Sequence, residues 1–401
     1  MRHPDLLIIG GGPAGLMAGL LFARSGCRVR VVEKHEDFLH DFRGDTVHPS
    51  TMGVLRDIGL LDRFLERPHQ RLWRAELRIA GEEMVVGDLS GVRGSTPFVA
   101  IMPQWDFLDF LRSEAERLPN FELQMGVAAE RLLFSGTRIS GVRLTSSEEV
   151  QCPLVLCCDG RRSLVREQDV LPIKDLGSPI DVFWFELPKR SDERGTLRIA
   201  VEAGQILVRV DRGHYWQCAL VFPKRRAAEV RGRGIDQLVE QLEQLEPRLG
   251  RIGGDLVSMD QLHLLEVSLD RLRRWSRPGL LAIGDAAHAM SPMGGIGINI
   301  AIQDAVAAAN LLAEPLSRGE RVDHLLRKVQ ARRAFSAGVI QAVQKVAQNW
   351  VLAPILWRDR PMRRPPLPLR LAHSQPAIRR VIGRAIALGI RREKVLTREA
   401  A

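Results

Sequence analysis

Two groups of glycine and carboxylate residues, far apart in the 401-residue chain, have the composition of nucleotide-binding turns. The first, Gly10-Gly11-Gly12-Pro13-Ala14-Gly15, follows Asp5–Ile9, which is predicted to be a buried strand. Glycines spaced as G-x-G-x-x-G permit a tight turn, the approach of a pyrophosphate to the backbone, and close packing of a helix on a strand. Glu33 ends the next apolar run, 18 residues after Gly15, where an acid can bind ribose hydroxyls. The residues predicted to contact a dinucleotide here are Gly10, Gly12, Pro13, Ala14, Gly15, Glu33 and Lys34.

The second group begins at Gly284-Asp285, after the apolar run Leu280–Ile283, and ends in a glycine-rich turn before an apolar helix predicted over Ile298–Leu312. A carboxylate at the end of a strand can accept hydrogen bonds from the hydroxyls of a sugar alcohol. The free N–H groups and the positive dipole at a helix start can hold negative charge. Both properties suit the ribityl chain of a flavin and its ring, which becomes anionic on reduction. The residues predicted to contact the cofactor here are Gly284, Asp285, Gly295, Gly297, Ile298 and Asn299.

A third turn, Asp159-Gly160, follows the apolar run Leu154–Cys158. Taken alone, it is more typical of a type I turn that closes a strand. In this order and at these separations, however, the three motifs resemble the group A flavoprotein monooxygenases, the family of para-hydroxybenzoate hydroxylase and the ubiquinone-biosynthesis hydroxylases. The resemblance spans residues 5–330.

The resemblance implies a role for each motif. The first turn and Glu33 would hold the ADP part of FAD, Asp159-Gly160 would contact FAD or NAD(P)H, and Gly284-Asp285 would hold the ribityl chain. Arg43 matches the flavin-contacting arginine of the family, with a surface charge as the alternative. Gln104 matches a polar position before a helix, with an ordinary helix cap as the alternative.

The resemblance also implies an activity. In the family, NAD(P)H reduces the flavin, O2 adds to give a C4a-hydroperoxide, and this species hydroxylates an aromatic or quinone-like small molecule. Where the flavin ring would meet substrate, Ser291 and Ile296 depart from the family, which often has a proline and a polar residue there. None of the histidines is a compelling general base, and His288 is expected to be a structural hydrogen-bonding residue. The candidates for catalytic groups are Pro292, Met293, His48, His214 and Tyr215.

The predicted fold is α/β, with a Rossmann-like FAD-binding domain, an inserted antiparallel-sheet substrate domain and a helical C-terminal region. The FAD-binding domain is predicted to be discontinuous, over residues 1–75, 96–177 and 272–330. The substrate domain would comprise residues 76–95 and 178–271, where strands are predicted at 182–185, 196–201, 205–210 and 214–222 with a hairpin turn at Arg212-Gly213. Trp184, Tyr215 and Trp216 are candidates for an aromatic pocket lining or for the core. Residues 331–401 would form the helical region with its basic tail.

Charge is concentrated at the C-terminus. Residues 358–401 contain 11 Arg and one Lys against three acids, so this segment carries +9 of the net charge of +10. A basic amphipathic helix after Pro376 can lie on an anionic membrane surface, or it can dock its apolar face on the protein, which we favour. Nucleic acid is not expected as a partner, because no recognised binding module accompanies the charge. The cysteine and histidine positions do not have the spacing of metal ligands. The five cysteines are unevenly spaced, which favours a reducing, cytoplasmic location. A peripheral contact with the inner face of the membrane is compatible with this location.

The sequence therefore predicts an FAD-dependent monooxygenase that uses NAD(P)H and O2. A flavin-dependent reductase of a double bond, similar to geranylgeranyl reductases, is the alternative within the fold. A flavin-binding, membrane-associated protein without turnover is the alternative from another class. Substrate identity, the choice of NADH or NADPH, and a monomeric or homodimeric state stay open.

Overall fold

The computed structural model describes residues 3–38, 46–92, 94, 96–190, 197–202, 204–249, 252, 254–357, 362 and 364–400. In chain order the strands are β1 (Leu6–Ile9), β2 (Val29–Val32), β3 (Thr46–Val47), β4 (Gln70–Leu72), β5 (Arg74–Ile79), β6 (Glu82–Asp88), β7 (Val99–Ile101), β8 (Phe121–Gln124), β9 (Ala129–Ser135), β10 (Arg138–Leu144), β11 (Glu149–Gln151), β12 (Leu154–Cys157), β13 (Ile173–Asp175), β14 (Ile180–Pro188), β15 (Leu197–Glu202), β16 (Gln205–Asp211), β17 (Tyr215–Pro223), β18 (His263–Leu265), β19 (Asp270–Leu272), β20 (Ser276–Arg277), β21 (Leu280–Ala282) and β22 (His288–Ala289). The α-helices are α1 (Pro13–Arg24), α2 (Pro49–Asp57), α3 (Leu61–Leu65), α4 (Gln104–Ala115), α5 (Leu164–Glu167), α6 (Ala227–Gly232), α7 (Ile235–Leu245), α8 (Gly297–Ser317), α9 (Asp323–Ala347), α10 (Ala353–Leu356), α11 (Leu367–Ser374) and α12 (Pro376–Leu388), and a π-helical segment, Gln348–Leu352, continues α9.

The apolar runs before the three predicted turns form neighbouring strands of one sheet. Its strand order is β20-β21-β12-β1-β2-β8, and all neighbours except β20 and β21 are parallel. Each of β1, β2, β12 and β21 is buried along its whole length, which explains why β1, β12 and β21 are unbroken apolar runs, while β2 includes the buried Arg30. Since parallel strands end at the same edge, the three turns must lie side by side. The predicted Rossmann-like α/β fold is confirmed.

A second large sheet has the order β18-β14-β17-β16-β15-β5-β6. An antiparallel sheet was predicted, but one pair of neighbours, β5 and β15, is parallel. Strands β5 and β6 come from an earlier part of the chain than the others, so their direction is not fixed by a hairpin to β15. The predicted turn at Arg212-Gly213 joins β16 and β17, with the Arg212 N–H donating to the Tyr215 carbonyl and with Gly213 at φ +86°. The division of the chain into the two predicted domains stays a prediction.

The two faces of this second sheet are covered by different helices. On one face Trp216 and Phe183 pack with Leu238 and Leu242 of α7. On the other face strand residues pack against Ile355 and Leu356 of α10, and half-buried Trp184 lies on this side. Trp216 is therefore a core residue of the α7 face, while Trp184 faces the C-terminal helices.

Helix α8 and the turn before it, residues Met293–Ser317, are long and apolar enough to cross a membrane by composition alone. However, 72% of its most apolar window is buried inside the molecule. It packs beside α1 and against the six-stranded sheet. Its apolarity is therefore that of a core helix.

The end of the chain lies on the first sheet and its helices. The Asn310 side chain donates to the Lys394 carbonyl and accepts from the Leu396 N–H, both at 2.8 Å. The Ala400 N–H donates to the Arg24 carbonyl at 2.8 Å, and the Arg24 guanidinium pairs with Glu399. Residues 394–400 thus dock on α1 and α8, while the choice between docking and membrane contact for the helix after Pro376 stays a prediction.

Candidate functional site

The three predicted turns meet through contacts between glycine backbones. Gly10 has φ +99°, and a Cβ added there would lie 2.6 Å from the Cys158 carbonyl oxygen, beside Asp159. Gly284 has φ +60°, and a Cβ added there would lie 3.2 Å from the Cβ atoms of both Ala14 and Ala301. The first turn therefore contacts the third at Gly10 and the second at Ala14. Asp159 and Gly284, which follow Gly10 by 149 and 274 residues, thus lie together with it at the carboxyl edge of the sheet.

The start of α1 is shaped for close approach of a ligand. A Cβ added to Gly15 would lie 1.9 Å from the Gly10 carbonyl oxygen, so the helix can begin here only with glycine at this position. By contrast, a Cβ added to Gly12 would meet no heavy atom within 4 Å. No side chain of the described residues caps the helix at Gly12. The first-turn N–H groups thus border open space, which is the arrangement that binds phosphate groups.

Glu33 lies beside this turn at the end of β2. Its carboxylate is buried and accepts from the Gly11 N–H at 2.7 Å and from the His35 N–H at 3.1 Å. These two bonds fix the carboxylate orientation and leave acceptor capacity for hydroxyl groups. The next residue, Lys34, is exposed.

Asp285 lies beside the start of α8. A Cβ added to Gly297 would be 4.0 Å from Asp285 Oδ1, and the Asp285 side chain is 34% exposed. Arg161 Nε lies 3.2 Å from Asp285 Oδ2, and Arg166 donates to the Asp285 carbonyl at 2.7 Å. Neither arginine was predicted as a site residue. The signal was present for Arg161, which follows Asp159-Gly160 directly in the sequence.

The Asp159 side chain makes its hydrogen bonds inside its own turn. It accepts from the Ser163 hydroxyl at 2.6 Å and from the Leu164 N–H at 2.8 Å. Burial raises the pKa of Asp159 to about 6, against the effect of these two hydrogen bonds. These contacts are those of a structural turn at the end of β12, while the backbone of Asp159-Gly160 still borders Gly10.

His288 belongs to a buried ionic network behind the site. Its Nε2 lies 2.6 Å from Asp304 Oδ2, and Arg333 donates to Asp304 Oδ1 at 2.8 Å. Burial would raise the pKa of Asp304, but its interactions with His288 and Arg333 hold it below its usual range. Asp304 also accepts from the Gly284 N–H at 3.2 Å. His288 therefore supports the turn that carries Asp285 and does not face open space.

A ladder of glutamines holds the loop that contains Pro292 and Met293. Gln344 of α9 accepts from the Ser291 N–H and donates to the carbonyls of Ser291 and Met293 at 3.1 and 3.3 Å. Gln348, one turn later, donates to the Ser291 hydroxyl at 2.7 Å. A proline at position 291 has no N–H to donate. The departure at Ser291 therefore has a structural partner in α9, which sequence motifs alone could not show.

The side-chain amide of Asn299 makes hydrogen bonds with neighbouring residues of the protein. Its side-chain oxygen accepts from the His48 N–H and the Thr51 hydroxyl, both at 2.8 Å. Its side-chain nitrogen donates to the carbonyls of Thr46 and Gly295, both at 3.1 Å. These four bonds fix the turn at Gly295, where a Cβ would lie 2.0 Å from the Thr46 hydroxyl oxygen. A contact of Asn299 and Ile298 with a cofactor would therefore involve backbone groups.

The candidate catalytic groups lie in different surroundings. His48 is buried and its Nδ1 donates to the Ile386 carbonyl of α12 at 2.9 Å. Burial lowers the pKa of His48 to about 4, although backbone hydrogen bonds with Ile386 and Gly294 favour the protonated ring. His214 is exposed in the turn between β16 and β17, and Tyr215 begins β17 half-buried. The structure thus joins His48, but not His214, to the loop of Pro292 and Met293.

Two further predicted residues complete the set. Gln104 is buried in the first turn of α4, directly after Pro103. Arg43 lies outside the described residues. Among the described residues no cluster of His, Cys, Asp or Glu could hold a metal ion.

The glutamine ladder predicts a stability difference between two neighbouring positions. Gln344→Leu leaves the Ser291 N–H and the Ser291 and Met293 carbonyls without their partner, and should lower the free energy of unfolding by about 3 kcal/mol. Asn349→Leu makes a similar change at an exposed position next to the ladder and should stay within about 0.5 kcal/mol of wild type. Urea unfolding of the three proteins measures this. Equal stability of the two variants would contradict the ladder.

The low pKa of His48 predicts a pH dependence. His48 takes up a proton near pH 6.5 in the unfolded chain but only near pH 4 in the folded protein. The contribution of the neutral, buried His48 ring to the free energy of unfolding is therefore complete above pH 6.5 and is lost as the pH falls toward 4. One pKa unit corresponds to about 1.4 kcal/mol, so the loss should be roughly 2 kcal/mol or more. His48→Gln should remove this part of the pH dependence, whereas His214→Gln should retain it. Unfolding free energies across this range test the assignment, and identical curves for wild type and His48→Gln would refute it.

Comparisons with known proteins agree with this geometry. A sequence model of the family described as "FAD binding domain" matches residues 4–343. The chain is 30% identical over 357 residues to 6-methylpretetramide 4-monooxygenase of Streptomyces rimosus, covering 88% of this chain and 85% of that protein. It is 24% identical over 325 residues to para-nitrophenol 4-monooxygenase of Pseudomonas sp. strain WBC-3, covering 78% and 79%.

Solved structures show the same fold. The crystal structure of Pseudomonas aeruginosa PqsL in complex with 2-aminobenzoylacetate superposes with a TM-score of 0.75 at 22% identity, covering 89% of this chain and 98% of that one. OxyS anhydrotetracycline hydroxylase of Streptomyces rimosus gives a TM-score of 0.74 at 22% identity, covering 96% and 76%. Together with the sequence relatives, these findings favour a hydroxylase over the reductase and the non-catalytic alternative. The chain belongs to the FAD-binding-domain family and is a group A flavoprotein monooxygenase, an FAD-dependent hydroxylase of aromatic compounds with the NAD(P)H dependence typical of its family.

Proposed function

We propose that the site formed by the three turns binds FAD along its whole length. The observation that carries this proposal is the contact of the first turn with both others, at Gly10 and at Ala14. The uncapped start of α1 and the open space at Gly12 suit the pyrophosphate. Glu33 would bind the ribose of the adenosine half, and Asp285 would bind the ribityl hydroxyls.

The flavin ring would lie at the turn before α8. Reduced FAD supplies the activation of O2 for hydroxylation. The chain's own residues hold the surroundings: Asn299 and Thr46 fix the turn at Gly295, and the glutamine ladder fixes Pro292 and Met293. The N–H groups at the start of α8 can stabilise negative charge on the ring. Arg43, as a flavin contact, stays part of this proposal on the resemblance alone.

His48 would act as a neutral, buried wall of the site and not as a proton acceptor. A base with a pKa of about 4 is poorly matched to proton transfer near neutral pH. The Ile386 carbonyl fixes its ring, so α12 closes the site on this side and excludes water. Tyr215 and His214, at the hairpin of the second sheet, would act only if substrate reaches that end. A substrate that is already electron-rich or ionised suits this arrangement.

The substrate would be an aromatic or quinone-like small molecule, converted in the cytoplasm. Because the relative at 30% identity is named for 6-methylpretetramide, this compound is the first candidate to test.

Incorporation of labelled oxygen tests the proposal. The purified FAD-loaded enzyme is supplied with NADH or NADPH, 6-methylpretetramide and ¹⁸O2. One ¹⁸O atom should enter each product molecule, with one NAD(P)H consumed. Products without ¹⁸O but with a reduced double bond would instead establish the reductase. Turnover of simple phenols but not of 6-methylpretetramide would retain the hydroxylase and reject this substrate.

A further inference from the structure

Helix α9 and the π-helical segment that continues it carry an apolar stripe on the side that faces solvent. Phe335, Val343, Val346 and Trp350 are all exposed, with Val346 at 59% and Trp350 at 78%. Their spacings of eight, three and four residues place them on one side of a helix, over four turns. Isolated exposed apolar residues are ordinary, but an aligned row of this length marks an interaction surface.

The stripe does not serve the core. The opposite side of the same helix provides the packing, through buried Ile340 and the buried glutamine ladder at Gln344 and Gln348. Two helices further along the chain also have exposed apolar residues at helical spacing, Leu367 and Leu371 on α11 and Ile378 and Val381 on α12. We call these exposed apolar residues, together with the stripe, the C-terminal apolar surface.

This surface belongs to a strongly basic segment. Residues 324–392 contain 15 Arg and Lys and a single acid, Asp359. Arg391 lies over the ring of Phe335 at 4.3 Å, and Arg226 lies over the ring of exposed Trp357 at 4.9 Å. Arg332 and Arg333 are paired with Glu393, but the exposed arginines of α11 and α12 include Arg370, Arg380 and Arg384.

We propose that the C-terminal apolar surface binds the surface of a bilayer that contains anionic lipids. Apolar and aromatic side chains can enter the interface of the bilayer while arginines and lysines contact anionic headgroups. A second copy of the chain is a poor occupant, because a two-fold contact would bring two basic segments together. Nucleic acid would neutralise the positive charge but would leave the valine and leucine side chains without an apolar partner.

Sedimentation with vesicles tests this inference on the full-length FAD-loaded protein. The protein should bind vesicles of phosphatidylcholine with phosphatidylglycerol, should not bind phosphatidylcholine alone, and should be released by high salt. The double variant Val346→Ser, Trp350→Ser should bind roughly tenfold more weakly. Val257→Ser removes an equally exposed valine, 61% accessible and outside this surface, and should bind as wild type.

Three outcomes would overturn the inference. The first is no binding to anionic vesicles at low salt, or equal binding by the double variant. The second is a stable dimer that the double variant disrupts, which would assign the surface to self-association. The third is duplex DNA binding that the double variant weakens while vesicle binding is unaffected. Because all mutated positions are exposed, FAD content and hydroxylation of a soluble substrate should not change, so failure here is distinguishable from failure of the proposed function.

Discussion

The site depends on close contact between backbones at glycines. Gly15 allows α1 to begin against the Gly10 carbonyl, and Gly10 and Gly284 allow the three turns to touch. Side chains at these positions would overlap backbone atoms or strain a left-handed conformation. With the turns in contact, the open space at Gly12, the carboxylate of Glu33 and the start of α8 fall along one edge of the sheet. Their position is set by the parallel strands, not by the length of chain between them.

The C-terminal region completes this arrangement from the other side. Helix α9 contributes Arg333 to the network around Asp304 and glutamines to the loop at Ser291. Helix α12 contributes the carbonyl that holds His48. Helix α10 and the π-helical segment before it cover one face of the second sheet. The sequence indicates only a basic tail in this region, but its helices pack on the protein and support the site. Their outer surface is left to contact a partner.

The predictable parts of the molecule are those that local chemistry encodes. Apolar runs, interrupted in β2 by Arg30, predicted β1, β2, β12 and β21, and glycine spacing predicted the turn before α1, because these features follow from burial and backbone conformation of adjacent residues. Contacts between distant side chains were not predictable. Nothing near Ser291 indicates that its partner lies 53 residues later, and nothing near Asn299 indicates that its amide holds Thr46 and His48. The parallel pairing of β5 with β15 was not predictable for the same reason, because these two strands are more than 100 residues apart in the sequence.

The most direct measurement is an FAD titration of the Gly12→Ala apoprotein. The added methyl group enters space that is empty of protein atoms, and Gly12 has φ −73°, which alanine adopts freely. We expect an unchanged thermal midpoint of the apoprotein and FAD affinity weakened roughly tenfold or more, because the methyl group occupies space needed by the pyrophosphate. Unchanged stability with unchanged FAD affinity would contradict the assignment of this turn to the cofactor.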